Sequence, residues 1–248
     1  MKKMLNNKAD EIACCEPFIL QETLLFDLDA KISIFYGVFD CAQYELQLFT
    51  QYGISLPSVI EGSVIKRQAE FLAGRYGAMR VLAEIGYDNL EIPIGSYRNP
   101  IWPEGVVASI SHTDSQIVCM ASLKVDNDYL GVDVEVWLEP KVAMEIKHIV
   151  LNERERMFLS KCNLSLSRLI SICFSAKESL FKAVFPYVNK YLDFSDSEII
   201  GFSYKNRSIT MRLNIFGFKE EVFICSFSVS RDTLLTQIVG RFTSDKLK

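Results

Sequence analysis

Apolar positions along this chain fall into short alternating or continuous runs, interrupted by stretches in which they recur at helical spacing. Pro17 to Leu25 and Ile32 to Phe39 are rich in Ile, Leu and Phe and are separated by Asp27-Leu28-Asp29, which predicts strands of one sheet. From Ile65 to Leu82 the apolar stripe that includes Phe71, Leu72, Ala78 and Leu82 predicts a helix, with Ser63 as its candidate cap. Gly74 and Gly77 lie inside that helix at a cost of up to about 1 kcal/mol each relative to alanine, which implies close approach of another backbone or a ligand. Ile94 to Gly105 holds two prolines and two glycines and reads as a loop. Val106 to Asp114 is a short strand, and Gln116 to Leu123 and Tyr129 to Val136 are expected to pair around the turn Asp126-Asn127-Asp128. Further helices are predicted from Asn152 through Leu159 and, capped by Ser165 or Ser167, through Cys173 to Val184, where Pro186 ends the run. Tyr191 to Ile200, Ser208 to Ile215, Glu221 to Ser230 and Thr233 to Phe242 alternate polar with apolar residues and complete the pattern as antiparallel strands. Strands, then helix, then strands, twice over, predict an α+β fold.

Composition narrows the classes of function. The chain has 248 residues, 49% of them hydrophobic and 23% charged, enough to bury one large core or two modest ones. A net charge of −4 disfavours general nucleic-acid binding while leaving room for a local basic cleft. The seven cysteines, at 14, 15, 41, 119, 162, 173 and 225, contain no C-x-x-C pair and are odd in number, the pattern of reduced thiols in a cytoplasmic protein. Met1 to Glu11 lacks the apolar region of a signal peptide, and runs such as Ile32 to Phe39 are too short to span a bilayer as a helix.

Candidate chemistry concentrates between Gly131 and Ala183. On an extended strand Asp133 and Glu135 share a face, while Val132, Val134 and Val136 are expected to point into the core. On a helix Glu178 and Lys182 stand one turn apart. Each segment alone is ordinary, an edge strand with a wet face and an exposed ion pair. If the helix crosses the strand, three carboxylates and a lysine converge, a set suited to octahedral magnesium that binds through substrate phosphates. Upstream, Lys66, Arg67, Arg75 and Arg80 give the first long helix an excess of positive charge, which by itself reads as a solvated face. Ser111 and His112 end a strand with groups able to hold a phosphate. His148 is expected to be structural.

Gly131-Val132-Asp133-Val134-Glu135, followed by Phe174-Ser175-Ala176-Lys177-Glu178-Ser179-Leu180-Phe181-Lys182-Ala183, resembles the signature of the 4'-phosphopantetheinyl transferases. Phe71-Leu72-Ala73-Gly74-Arg75, the loop Arg98-x-Pro100-x-Trp102-Pro103-x-Gly105 and Ser109-Ile110-Ser111-His112 are similar to N-terminal motifs of the Sfp-type enzymes, in the enterobactin synthetase component D branch. The resemblance covers about residues 65 to 186, with Asn99 and Ala108 departing from the usual small residue and glycine. It implies transfer of the phosphopantetheine arm of coenzyme A to a serine of an apo acyl or peptidyl carrier protein, with release of 3',5'-ADP and dependence on Mg²⁺. By the same resemblance Arg75, Ser111 and His112 contact the 3'-phosphate, Arg98 lies by the adenine, Arg67 is an additional cation and Lys177 contacts phosphate. Asp133, Glu135 and Glu178 hold the metal, Glu178 takes the serine proton and Lys182 serves the leaving group. The implied architecture is two similar α/β halves related by a pseudo-twofold axis, 1–126 and 127–248, with the active site between them, in a monomer that binds no nucleic acid. The competing readings are a non-catalytic coenzyme A-binding regulator and a metal-dependent phosphohydrolase.

Overall fold

The computed structural model describes residues 17–88, 91–215, 217–218 and 221–243. β1 (Ile19–Asp27) and β2 (Ile32–Phe39) form a hairpin whose turn is closed by Asp27 Oδ1, which accepts from the amides of Asp29 and Ala30. Two single-turn helices, α1 (Leu48–Gln51) and α2 (Ser58–Glu61), lead into α3 (Ile65–Glu84). β3 (Val106–His112) and β4 (Gln116–Leu123) then complete an antiparallel sheet in the order β1-β2-β4-β3. α3 covers one face of this sheet, packing Leu72, Ala73, Val81 and Leu82 on Phe35, Phe39, Ile117 and Cys119. The glycines inside α3 are explained by that contact. A Cβ on Gly77 would meet Cys119 Sγ and the Phe35 ring at 2.8 Å, and one on Gly74 would meet Ile110 Cγ2 at 3.3 Å. The nearest atoms are sheet side chains and not another backbone.

The second sheet is built from β5 (Tyr129–Val136), followed by α4 (Pro140–Val150), α5 (Glu153–Leu159) and α6 (Leu166–Val188), then β6 (Ser197–Ser203), β7 (Ser208–Leu213), β8 (Val222–Val229) and β9 (Thr233–Gly240). Its order is β5-β9-β8-β7-β6, antiparallel throughout. α6 crosses β5 so closely that a Cβ on Gly131 would lie 2.0 Å from the carbonyl oxygen of Ser179, so glycine is required there. The two sheets meet through Ile32, Ile34, Val118 and Met120 on one side and Leu130, Val132 and Val134 on the other. The fold is therefore α+β, a four-stranded and a five-stranded sheet, each carrying one long helix.

Several expectations need correction. β4 and β5 do not pair, because both edges of β4 are occupied by β2 and β3 while β5 finds β9. The turn between them passes the chain from one sheet to the other, and Asn127 ties it back through bonds to the Ala30 carbonyl and Ser122 Oγ. Pro186 does not end α6. It sits in the last turn, and the helix closes at Asn189, whose amide still donates to the Phe185 carbonyl and whose left-handed backbone (φ 49°) turns the chain out of the helix. The strand expected from Tyr191 begins only at Ser197, after a 3₁₀ turn at Phe194–Asp196. Val136 is 54% exposed, since β5 outruns the core at its end. α4 was not foreseen, although Pro140 opens it at the first turn and Ala143 and Val150 are buried beneath it.

Candidate active site

Asp133 lies at the seam where β3, β5 and α6 meet, and it is 3% exposed. Lys182 Nζ stands 2.7 Å from Asp133 Oδ1 and also donates to Ser111 Oγ (3.0 Å) and the Val132 carbonyl (3.1 Å). Ser111 Oγ in turn donates to Oδ1 at 2.9 Å, and Ser175 Oγ to Oδ2 at 2.7 Å. The amide of Val132 donates to Ser109 Oγ, so the middle of β3 is stitched to β5. The crossing of helix and strand thus brings Asp133, Lys182 and Ser111 together across 22 to 71 positions of sequence.

Glu135 and Glu178 surround this pair without touching it. Burial, reinforced by the nearby Asp133 charge and opposed by Lys182, pushes the Glu135 carboxyl up to about 7. Glu178 is raised in the same way, first by burial, with Lys182 opposing and Asp133 reinforcing. The three carboxylates sense one another, yet among the described residues no three His, Cys, Asp or Glu side chains form a closed metal cluster. Their chemistry does fit a hard cation, being oxygen donors that carry more negative charge than the single Lys182 offsets. Both Asp133 oxygens are already engaged within the protein, whereas hydrogen bonds leave Glu135 and Glu178 for a ligand among the contacts described.

Beside the seam, burial holds the His112 imidazole below its ordinary range, with Glu70 pulling it up and Arg67 and Lys182 pushing it down. Arg67 lies 3.7 Å from Glu70. The N-terminal turns of α3 and the end of β3 therefore place Arg67, Ser111, His112 and Lys182 in one neighbourhood. Arg75 occupies a different place. It is 8% exposed, stacked over Phe71 at 4.6 Å, and lines a cavity of about 560 Å³ with Met79, Ile92 and Ile94. Among the described residues its Nε has no hydrogen-bond partner, and burial lowers its pKa to about 10. Arg98 stands exposed with φ 61° at the tip of a hairpin closed by the Gly95 and Asn99 bonds, and it does not line this cavity.

Lys177 departs from the expectation that it contacts phosphate. It is fully buried, paired with Glu155 at 2.8 Å, and donates to the carbonyls of Phe194 and Ser197. One position along α6 is about 100° of rotation, so the neighbour of Glu178 points into the core of the second half.

A cavity of about 630 Å³ opens between the halves. It is lined by Trp102, Ser109, Phe181 and Tyr191, with Glu178 and Lys182 among its walls. Tyr97 from the hairpin packs edge-on to Phe185 and Tyr191, closing one side. Sequence reasoning missed two contributors to the site. The first is the aromatic wall, for which Trp102 and Phe181 stand inside quoted motifs without having been singled out, while Phe185 and Tyr191 follow them in the chain. The serines behind Asp133 did leave a signal, for Ser167, Ser171, Ser175 and Ser179 recur every fourth residue and run toward Lys182 as a hydroxyl stripe along α6.

Residues 57–122 match the family profile described as 4'-phosphopantetheinyl transferase N-terminal domain, and residues 129–237 match the 4'-phosphopantetheinyl transferase superfamily. Among curated proteins, the chain is 32% identical over 171 residues to enterobactin synthase component D of Escherichia coli O157:H7, covering 69% of this chain and 76% of that one. It is 37% identical over 119 residues to the Salmonella typhi protein of the same name, 48% of each chain. It is also 32% identical over 141 residues to the 4'-phosphopantetheinyl transferase Npt of Nocardia iowensis, 57% of this chain and 62% of that one.

Proposed function

We propose the following division of labour from the premise that this chain belongs to the 4'-phosphopantetheinyl transferase superfamily, in the branch of enterobactin synthase component D, and transfers phosphopantetheine to carrier proteins. The observation that carries the assignment of roles is the meeting of Asp133, Ser111 and Lys182, of which Lys182 reaches the wall of a cleft between the two sheets. Residues 1–126 take the adenosine and 3'-phosphate end of coenzyme A, and residues 127–248 carry the reacting end.

Arg67, Ser111 and His112 form the near wall for the 3'-phosphate. Arg75 contributes from its own cavity, and its unpartnered Nε supports that role, since a buried donor without an acceptor is costly unless a ligand supplies one. Arg98 lies by the adenine. The cleft lined by Trp102, Phe181 and Tyr191 accommodates the pantetheine arm. A divalent cation, magnesium in this reading, would be held by Asp133, Glu135 and Glu178, and when bound it supplies neutralisation of charge on the diphosphate.

Glu178 takes the proton of the carrier serine, and its raised pKa makes it a stronger base than an exposed carboxylate. The serine oxygen then bonds to the β-phosphorus, the bond from that phosphorus to the bridging oxygen breaks, and 3',5'-ADP leaves with that oxygen. Lys182, already oriented by Asp133 and Ser111, offers positive charge to the departing phosphate. Because the nucleophile belongs to the partner, no serine or cysteine of this chain is assigned that task. The carrier in this reading belongs to siderophore or nonribosomal peptide synthesis, a choice supported by the enterobactin synthase named in two relatives. We further propose that the enzyme acts as a cytoplasmic monomer. No described helix is long and apolar enough to cross a membrane.

Incubation with coenzyme A, Mg²⁺ and an apo peptidyl carrier domain, followed by mass spectrometry of the intact carrier, tests the reading. The expected result is the mass gain of one phosphopantetheine. Free cleavage of coenzyme A without transfer would favour a hydrolase, and binding without either product a regulator.

A further inference from the structure

Behind Asp133, on the side away from Lys182, lie three hydroxyl groups that the reaction does not use. Ser175, Ser179 and Thr236 are all fully buried. Thr236 sits on β9 directly opposite Asp133, while Ser175 and Ser179 lie one turn apart on α6. Three buried polar side chains at one spot are costly unless their bonds are complete, and here they are.

Each hydroxyl has one proton to give, and the geometry fixes where it goes. An ionised carboxylate only accepts, so Ser175 donates to Asp133 Oδ2 at 2.7 Å. Thr236 Oγ1 lies 2.8 Å from Ser175 Oγ and 2.9 Å from the Ser175 carbonyl, so its proton goes to Ser175 in either case. Ser179 Oγ lies 2.7 Å from Thr236 Oγ1 and 3.0 Å from the Thr236 carbonyl, so its proton goes to Thr236 in either case. The order of donation therefore runs from Ser179 to Thr236 to Ser175 to Asp133, and where each proton is shared with the next hydroxyl the bonds strengthen one another.

We infer that Ser179, Thr236 and Ser175 form a buried hydroxyl relay that positions the Asp133 carboxylate for transfer and for the cation. The relay acts only through Asp133, so its members are positioning residues. With Oδ2 held from behind, Oδ1 faces Lys182 and Ser111 in one fixed orientation. Loss of the relay frees the carboxylate to rotate and lowers its value to whatever it holds in front. This inference rests on the transferase reading for its kinetic arm and on cation binding for an arm that needs no turnover.

The test is Thr236→Val in the full-length protein, which replaces a hydroxyl by a methyl of equal size. Partners that orient a metal-binding group are typically worth ten- to a hundredfold in affinity or activity. The expected result is a kcat lower by about tenfold or more with KM for coenzyme A within about twofold, and Mn²⁺ affinity, read by water-proton relaxation, weaker by about tenfold. Thr236→Ser, which keeps the hydroxyl, should restore both. Ser179→Ala should move both readouts in the same direction by less, and it decides the matter if the valine variant does not fold. Wild-type kcat and Mn²⁺ affinity in the valine variant, with or without a lower melting temperature, would overturn the relay. A wild-type protein that binds Mn²⁺ but moves no phosphopantetheine would count against the transferase reading instead, and the Mn²⁺ arm would still judge the relay.

Discussion

Lys182 and Asp133 are separated by 49 positions yet stand 2.7 Å apart, with the aspartate almost fully buried and the lysine partly open to the cleft. That asymmetry fixes what each can do. The buried partner orients, and the open partner reaches the ligand. It also alters what removal of Asp133 should cost. A carboxylate that accepts from one lysine and two serines stabilises the folded protein even before any cation binds.

Asp133→Ala should therefore both stop transfer and lower stability by roughly 1–3 kcal/mol, because it strands three donors. Lys182→Met should lose turnover with a smaller stability change. Chemical denaturation of the two variants beside transfer assays checks this, and an Asp133→Ala protein as stable as wild type would refute the account of its bonds.

Glu178→Gln preserves size and hydrogen bonding while removing charge and basicity. Turnover should fall by on the order of 10²–10⁴-fold while coenzyme A affinity, measured by calorimetry, stays within a few fold. A variant that transfers at the wild-type rate would remove Glu178 from the role of base.

Arg67→Ala, Arg75→Ala and His112→Ala should each reduce the preference for coenzyme A over dephospho-coenzyme A by roughly ten- to a hundredfold, since each deletes a contact worth about 1.5–3 kcal/mol to a phosphate the second ligand lacks. Titration of both ligands against all three variants is the measurement. Arg75 carries the sharpest version, because its guanidinium faces a separate cavity, and an unchanged preference there would place the 3'-phosphate with Arg67 and His112 alone.

The metal-free protein should lose stability as pH rises from 6.5 through 7 and level off by 8, the upper part of the Glu135 window and the part that His112 does not oppose. Glu135 has a folded pKa near 7, above its ordinary value of 4.5, so its contribution is fully present below 4.5 and lost as pH rises through 7. His112, lowered by burial, acts with the opposite sign but only below about 6.5. Thermal melts should show the midpoint falling across this window, Glu135→Gln flattening the slope, and Mg²⁺ restoring more stability at pH 8 than at pH 6.5. A midpoint independent of pH in the wild type would contradict the raised Glu135.

Lys177 and Glu155 should matter for folding and not for the ligand. Glu155→Ala leaves a buried ammonium uncompensated and should cost about 3–5 kcal/mol, with coenzyme A affinity of the folded fraction unchanged. Loss of affinity without loss of stability in Lys177→Met would return that lysine to the phosphate site.

Local pattern sufficed for most of the elements and for naming the candidate site residues. Helical spacing marked α3 and α6, alternation marked the strands of the second sheet, and the two motif segments named Asp133, Glu135, Glu178 and Lys182 because residue type and spacing are properties of the chain itself. What the chain could not announce was which strand edges remained free and which side of a helix met them. The pairing of β5 with β9 over its neighbour β4 followed from the prior occupation of both β4 edges, a fact that exists only once the first sheet is assembled. Whether Lys177 or Lys182 faced the cleft depended on the rotation of α6 about its axis, and that rotation was fixed by Gly131, where the absence of a side chain lets strand and helix touch. The relay behind Asp133 needed both decisions at once, since Thr236 meets Ser175 and Ser179 only when β9 lies beside β5 and α6 lies across them.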